Sequence, residues 1–68
     1  MFNTEALVAI RWRTGLNQLE LAQRARISQG HLSRIERGVT TPRPPTVRKL
    51  ADALGVPIDA LLTTEAAA

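Results

Sequence analysis

The arginine side chains are the residues best suited to binding chemistry in this sequence. Seven of its eight arginines fall between residues 10 and 43, where Glu20 and Glu36 are the carboxylates that oppose them. A planar guanidinium donates paired hydrogen bonds to phosphate oxygens and to the edge of guanine. The pattern favours a nucleic-acid ligand, while charge alone leaves a solvated basic face equally open. A membrane-surface helix is disfavoured, because no long uninterrupted basic amphipathic stretch is present.

The remaining side chains argue against an enzyme. The absence of Cys excludes disulfides and thiol catalysis, and a single histidine excludes a histidine-cluster metal site. Ser28 and Ser33 lie near His31, but no carboxylate is placed to orient the imidazole. We expect no cofactor and no metal. We also expect one domain from 68 residues, and a cytoplasmic location, because the longest apolar run is only residues 6–10.

Glycines and prolines divide the chain into five predicted helices. Gly15, Gly38 and Gly55 each follow an apolar-periodic stretch, as glycines at helix ends do. No segment alternates like a strand, which predicts an all-α fold. Asn17 with Glu20 resembles a capping box, and Asn3 (or Thr4) and Ser28 are suitable N-caps. The helices are expected over residues 4–14, 18–25, 29–37, 46–54 and 58–62, with a loop at 38–45 and a disordered tail at 63–68.

Helices two and three are predicted to form a helix-turn-helix. A link of about three residues forces the second helix to cross the first steeply. Ala22 provides the small residue that such a crossing needs, Ile27 fills the turn, and Leu32 and Ile35 face back. The outward face of helix three is then polar and basic, without a carboxylate, and carries Ser28, Gln29, Gly30, Ser33, Arg34 and Arg37.

The sequence resembles the helix-turn-helix domains of phage repressors and Cro proteins, often called the XRE family. The matching stretches are Ile10-Arg11, GLNQLELAQRARISQGHLSRIERG (residues 15–38) and RKLADALGVPIDALL (residues 48–62). The resemblance implies a compact five-helix, lambda-repressor-like domain over residues 1–62. It also implies binding of double-stranded operator DNA, commonly as a homodimer.

The resemblance also implies roles for individual residues. Base contacts are expected from four residues of helix three: Gln29, Gly30, Ser33 and Arg34. Backbone contacts are expected from residues at helix ends and in loops: Asn17, Gln18, Arg26, Ser28, Arg37 and Arg43. Arg11 and Glu36 match a structural ion pair, although charge alone would have assigned Arg11 to the DNA.

Three features depart from the family pattern. Arg26 stands where the turn usually has glycine, at a position that tends toward positive φ, which costs a residue with a side chain about 1 kcal/mol. Gly30 lacks a side chain at a position that normally reads a base. The prolines of residues 42–45 make the role of Arg43 less certain.

Two classes of function follow from these residues. The first is a sequence-specific transcriptional regulator, a repressor of bacterial or phage origin that reads operator DNA. The second is a protein-interaction module on a helix-turn-helix scaffold, such as an antitoxin-type or accessory protein. We expect Leu19 to be exposed and Trp12 to be partly buried in packing. In the second class, Leu19 and Trp12 instead form an exposed apolar patch that, with the last helix, binds the partner. Of Leu61 and Leu62, at least one should lie in the core, and the last helix could contact a partner protomer.

Overall fold

Four α-helices and one short 3-10 helix follow one another along residues 1–63, the part of the chain that the computed structural model describes. They are α1 (Thr4–Thr14), α2 (Gln18–Ala25), α3 (Gln29–Glu36), α4 (Pro44–Leu54) and the 3-10 helix (Ile58–Leu61). The predicted all-α class is confirmed. None of the helices in these residues is long and apolar enough to cross a membrane.

The prediction of a fifth α-helix is wrong. Residues 58–61 form a single 3-10 turn between two extended residues, Pro57 and Leu62. Leu62 is extended because it forms an antiparallel bridge with Phe2, which leaves too few residues for an α-helix. The domain therefore has four α-helices.

Helix α4 begins two residues earlier than predicted. Pro44 and Pro45 occupy its first turn, where a helix has no acceptor for backbone N–H groups and where the fixed φ of proline suits the helix. Arg43 is the preceding extended residue, and its side chain makes no capping hydrogen bond.

Side-chain caps begin the first three helices as predicted. The Asn3 side chain accepts a hydrogen bond from the Ala6 N–H at 3.0 Å, and Ser28 Oγ accepts one from the His31 N–H at 3.0 Å. Asn17 and Glu20 form the complete capping box: Asn17 Oδ1 accepts from the Glu20 N–H at 2.8 Å, and Glu20 Oε1 accepts from the Asn17 N–H at 2.9 Å. These caps explain why the sequence predicts the start of these three helices correctly.

All four α-helices end in the same hydrogen-bonded turn, the Schellman motif, built on a residue with positive φ. Three of these residues are the predicted glycines, and the fourth is Arg26, with φ of +59°. In the turn after α2, the Ile27 N–H donates to the Ala22 carbonyl at 3.0 Å and the Arg26 N–H to the Gln23 carbonyl at 3.2 Å. Arg26 is the one non-glycine residue among 1–63 in this conformation.

The core lies between α2 and the elements around it, because α2 packs against both α3 and α4. Six large side chains are fully buried there, each contributing roughly 1.5–3 kcal/mol by its removal from water. They are Leu7, Leu21, Leu32, Ile35, Leu50 and Leu61. Leu61 thus confirms that one of the last two leucines belongs to the core.

The first residues of the chain pair with the residues that follow the 3-10 helix. The Asn3 N–H donates to the Leu61 carbonyl at 2.8 Å, and the Thr63 N–H donates to the Met1 carbonyl at 2.7 Å. This pairing holds the start of α1 against the end of the domain. Beyond Thr63, the predicted tail lies outside the described residues.

Candidate nucleic-acid interface

The α2–α3 pair has the packing of a helix-turn-helix. Ala22 is 1% exposed at the crossing, and Leu32 and Ile35 of α3 are fully buried against the core. Ile27 packs against the same core from the turn. These contacts fix α3 with its apolar side inward, so its opposite side faces solvent.

The solvent-facing side of α3 brings together the residues predicted to contact bases. Gln29, Gly30 and Arg34 are exposed, and Ser33 is partly buried. The guanidinium of Arg34 folds back along the helix, with Nη1 3.7 Å from the point that a Cβ on Gly30 would occupy. His31 is partly buried, and its backbone N–H donates to the Ser28 cap.

Glu36, the one carboxylate of α3, is directed away from that face. Its Oε2 accepts from Arg11 Nε at 2.6 Å, and its Oε1 accepts from Arg11 Nη2 at 3.0 Å and from Gln18 Nε2 at 2.9 Å. Arg11 Nη1 donates to the Leu16 carbonyl at 3.0 Å. The ion pair therefore joins α1, α2 and α3, and it leaves the outer side of α3 without an accessible carboxylate.

The start of α2 is arranged differently from the sequence expectation. A phosphate is expected at the N–H groups of this helix start, but the N–H of Asn17 itself donates to the Glu20 side chain. The N–H groups of Gln18 and Leu19, which have no acceptor inside the helix, are the ones available there. Gln18 is partly buried, and one of its amide hydrogens is already donated to Glu36.

The other predicted backbone-contacting residues lie at exposed positions around α3. Arg26 and Ser28 are exposed in the turn that precedes it, and Arg37 is exposed at its end. Arg37 Nε donates to the Ser33 carbonyl at 3.4 Å, which holds its side chain along the helix. Arg43 is exposed immediately before α4, at the end of the loop that contains Pro42.

Two surface expectations have opposite outcomes. Leu19 is 48% exposed, as predicted, whereas Trp12 is 71% exposed and the prediction that it is a partly buried packing residue is wrong. The buried residues of α1 are Leu7 and Arg11, which lie four apart on one face of the helix, and Trp12 lies outside that face. The Arg11 guanidinium carbon lies 5.6 Å from the centre of the indole ring.

A family model described as helix-turn-helix matches residues 9–61 of the 68-residue chain. The chain belongs to this helix-turn-helix family. The match confirms the resemblance to phage-repressor and Cro domains. The molecule is a DNA-binding helix-turn-helix domain of the regulatory type, and α3 is the second helix of that motif.

Two side-chain contacts of the helix-turn-helix domain are more specific than the sequence expectation. The resemblance implies that Gln18 braces helix three, and its partner there is Glu36, 18 positions away, which no local pattern indicates. The approach of Arg34 to Gly30 could have been anticipated, because residues four apart lie on the same face of a helix. Among the described residues, no group of three His, Cys, Asp or Glu side chains is placed to hold a metal ion.

Proposed function

We propose that this protein is a sequence-specific transcriptional regulator that represses by occupying operator DNA. Helix α3 enters the major groove, and two protomers related by a two-fold axis read half-sites about 34 Å apart.

The burial of Glu36 is the observation that carries this proposal. Its side chain is 5% exposed and both of its oxygens are hydrogen-bonded inside the protein. A free carboxylate at this place would repel the phosphates on either side of a groove. Because Glu36 is buried in this pair, the accessible charged side chains at the end of α3 are Arg34 and the next residue along, Arg37, both positive.

The roles of individual residues follow from their side-chain chemistry. Arg34 pairs with the O6 and N7 of guanine, and Gln29 pairs with adenine, while Ser33 donates or accepts at a neighbouring base. The remaining contacts are to the DNA backbone, from Asn17, Gln18, Arg26, Ser28, Arg37 and Arg43.

The test is a fluorescence-anisotropy titration at two salt concentrations. One labelled duplex carries the DNA upstream of the protein's own gene, and the other carries the same bases scrambled. A random-duplex selection follows, so that the choice of DNA does not decide the result. Enrichment of one sequence, with affinity that falls as salt rises, supports a specific regulator. Weak and equal binding of all duplexes, with no enriched sequence, contradicts it.

The dimer and the repression are tested separately. Sedimentation of the protein with the selected duplex should give two protomers for each duplex, and the selected sequence should have two-fold symmetry. A reporter with that sequence over its promoter should lose expression when the protein is present. One protomer on an asymmetric sequence contradicts the dimer, and increased expression contradicts repression.

Exposure of Trp12 favours a second candidate function, the binding of another protein. The Trp12 side chain is 71% exposed and offers a large apolar surface on α1. A protein partner bound there with little dependence on salt supports this candidate, and its binding should be lost in Trp12→Ser while DNA binding is unchanged. A protein partner whose binding is unaffected by Trp12→Ser contradicts it.

A further inference from the structure

Gly30 occupies a helical position for which the backbone gives no reason to use glycine. Its φ lies outside the left-handed region, unlike that of Gly15, Gly38 and Gly55. Glycine is among the least favourable residues in a helix, because it loses the most conformational freedom there. The fold would therefore accept, and by propensity prefer, a residue with a side chain at position 30.

Packing gives no reason for glycine either, with one exception. A Cβ on residue 30 would have a single neighbour within 4 Å outside its own helix turn, and that neighbour is Arg34 Nη1 at 3.7 Å. No core side chain and no backbone from another element approaches this point. The space that a longer side chain would fill is the space that the guanidinium of Arg34 uses.

We propose that Gly30 is a positioning residue that sets where Arg34 reads the DNA. Without a side chain at position 30, the guanidinium of Arg34 reaches back one turn toward the N-terminal end of α3. That end of a recognition helix contacts base edges. One arginine thereby takes the guanine contact that a side chain at position 30 would otherwise make. The inference rests on the proposed function, since it requires α3 to read bases.

The contact between Arg34 and position 30 predicts that a small and a large substitution of Gly30 have different effects on DNA reading. In Gly30→Ala, the added methyl group is in ordinary van der Waals contact with Arg34, so the guanidinium keeps its place. In Gly30→Leu, the longer side chain competes for that place, and leucine is a good helix former that offers no hydrogen bond to a base. The alanine variant is thus the matched control for the leucine variant.

The experiment measures base preference as well as affinity. The probe is the duplex enriched from the random library, together with its single-base-pair variants, titrated with wild type, Gly30→Ala, Gly30→Leu, Arg34→Ala and the double variant Gly30→Leu/Arg34→Ala. Circular dichroism confirms helix content for each protein. At the base pair that Arg34→Ala identifies, wild type and Gly30→Ala should discriminate by about 5- to 160-fold. Gly30→Leu should lose that discrimination, and the double variant should lose no more than Arg34→Ala.

Each outcome bears on the inference separately from the proposed function. If wild type enriches a sequence and Arg34→Ala loses one base preference while Gly30→Leu retains it, the role of Gly30 is refuted and the regulator stands. If Gly30→Ala loses the preference as fully as Gly30→Leu, backbone approach rather than the position of Arg34 explains the glycine, which also refutes the inference. If wild type enriches no sequence, both proposals fail together.

Discussion

Arg11 and Glu36 form a bidentate ion pair inside the protein, although 25 residues separate them in the sequence. The Nε–Oε2 distance is 2.6 Å and the Nη2–Oε1 distance is 3.0 Å, with side chains only 9% and 5% exposed. The pair joins the last turn of α1 to the last turn of α3, so buried charge helps to fix the orientation of α3.

Removal of one partner of this pair should destabilise the domain severely. In Glu36→Ala, the Arg11 guanidinium stays buried without its counter-charge, and we expect the free energy of unfolding to fall by about 3–5 kcal/mol. Urea denaturation followed by circular dichroism measures this loss. Glu5→Ala is the control, because Glu5 is an exposed carboxylate in the first turn of α1. Equal losses in the two variants would show that the ion pair has no structural role.

Replacement of both charged residues tests whether the loss in Glu36→Ala comes from the unpaired buried charge. A double variant, Arg11→Met with Glu36→Leu, leaves no charge unpaired, and we expect its free energy of unfolding to be higher than that of Glu36→Ala. If the effects of Arg11→Met and Glu36→Leu alone simply add in the double variant, the two side chains do not interact energetically.

The turn between α2 and α3 should be more stable with glycine. Arg26 has φ of +59°, which costs a residue with a side chain about 1 kcal/mol, so Arg26→Gly should raise the free energy of unfolding by about that amount. Arg24→Gly, two residues earlier within α2, should lower it by a similar amount. Thermal denaturation of both variants compares them. Destabilisation by Arg26→Gly would mean that its side chain makes a contact worth more than the strain.

The sequence predicts the helices best where a cap or a glycine marks their ends. Asn17 with Glu20 and Ser28 predict the first residue of α2 and α3, because these side chains hydrogen-bond within three residues of their own positions. Pro44 was assigned to a loop, since the same residue type is common in loops and in the first turn of helices. The last helix was misjudged because its length depends on the pairing of Leu62 with Phe2, which is distant in sequence.

The candidate site was predicted less evenly than the helices. Exposure of Gln29 and Arg34 follows from helical periodicity once Leu32 and Ile35 are assigned to the core. The outward position of Trp12 does not follow, because hydrophobicity alone favours burial, whereas the buried face of α1 is formed by Leu7 and by Arg11 with its partner Glu36.

Trp12 should contribute little to stability. Because its side chain is 71% exposed, we expect Trp12→Ala to change the free energy of unfolding by about 0.5 kcal/mol or less. Leu32→Ala, which empties a fully buried position, should cost about 2–5 kcal/mol. The native indole should also be accessible to a quencher such as acrylamide. Weak quenching in the native state, or a loss comparable to that of Leu32→Ala, would contradict this exposed position.

The variants Arg37→Ala and Arg34→Ala should weaken DNA binding in different ways. The Arg37 side chain is held against the Ser33 carbonyl at the end of α3, where the DNA backbone is expected, so Arg37→Ala should weaken all duplexes alike. It should also reduce the slope of log K against log salt by about 0.9, the value for one phosphate contact. Arg34→Ala should instead relax the preference at one base pair by about 1–3 kcal/mol.

Anisotropy titrations of both variants against the selected duplex and its single-base-pair variants distinguish these roles. Arg13→Ala is the matched control, because it removes one exposed arginine from α1 and leaves α3 unchanged. If Arg34→Ala lowers affinity equally for every duplex, Arg34 contacts only phosphate and the base-reading role passes to Gln29 or Ser33. If Arg37→Ala alters the preference at one base pair, Arg37 contacts a base, and the C-terminal end of α3 lies in the groove and not at the DNA backbone.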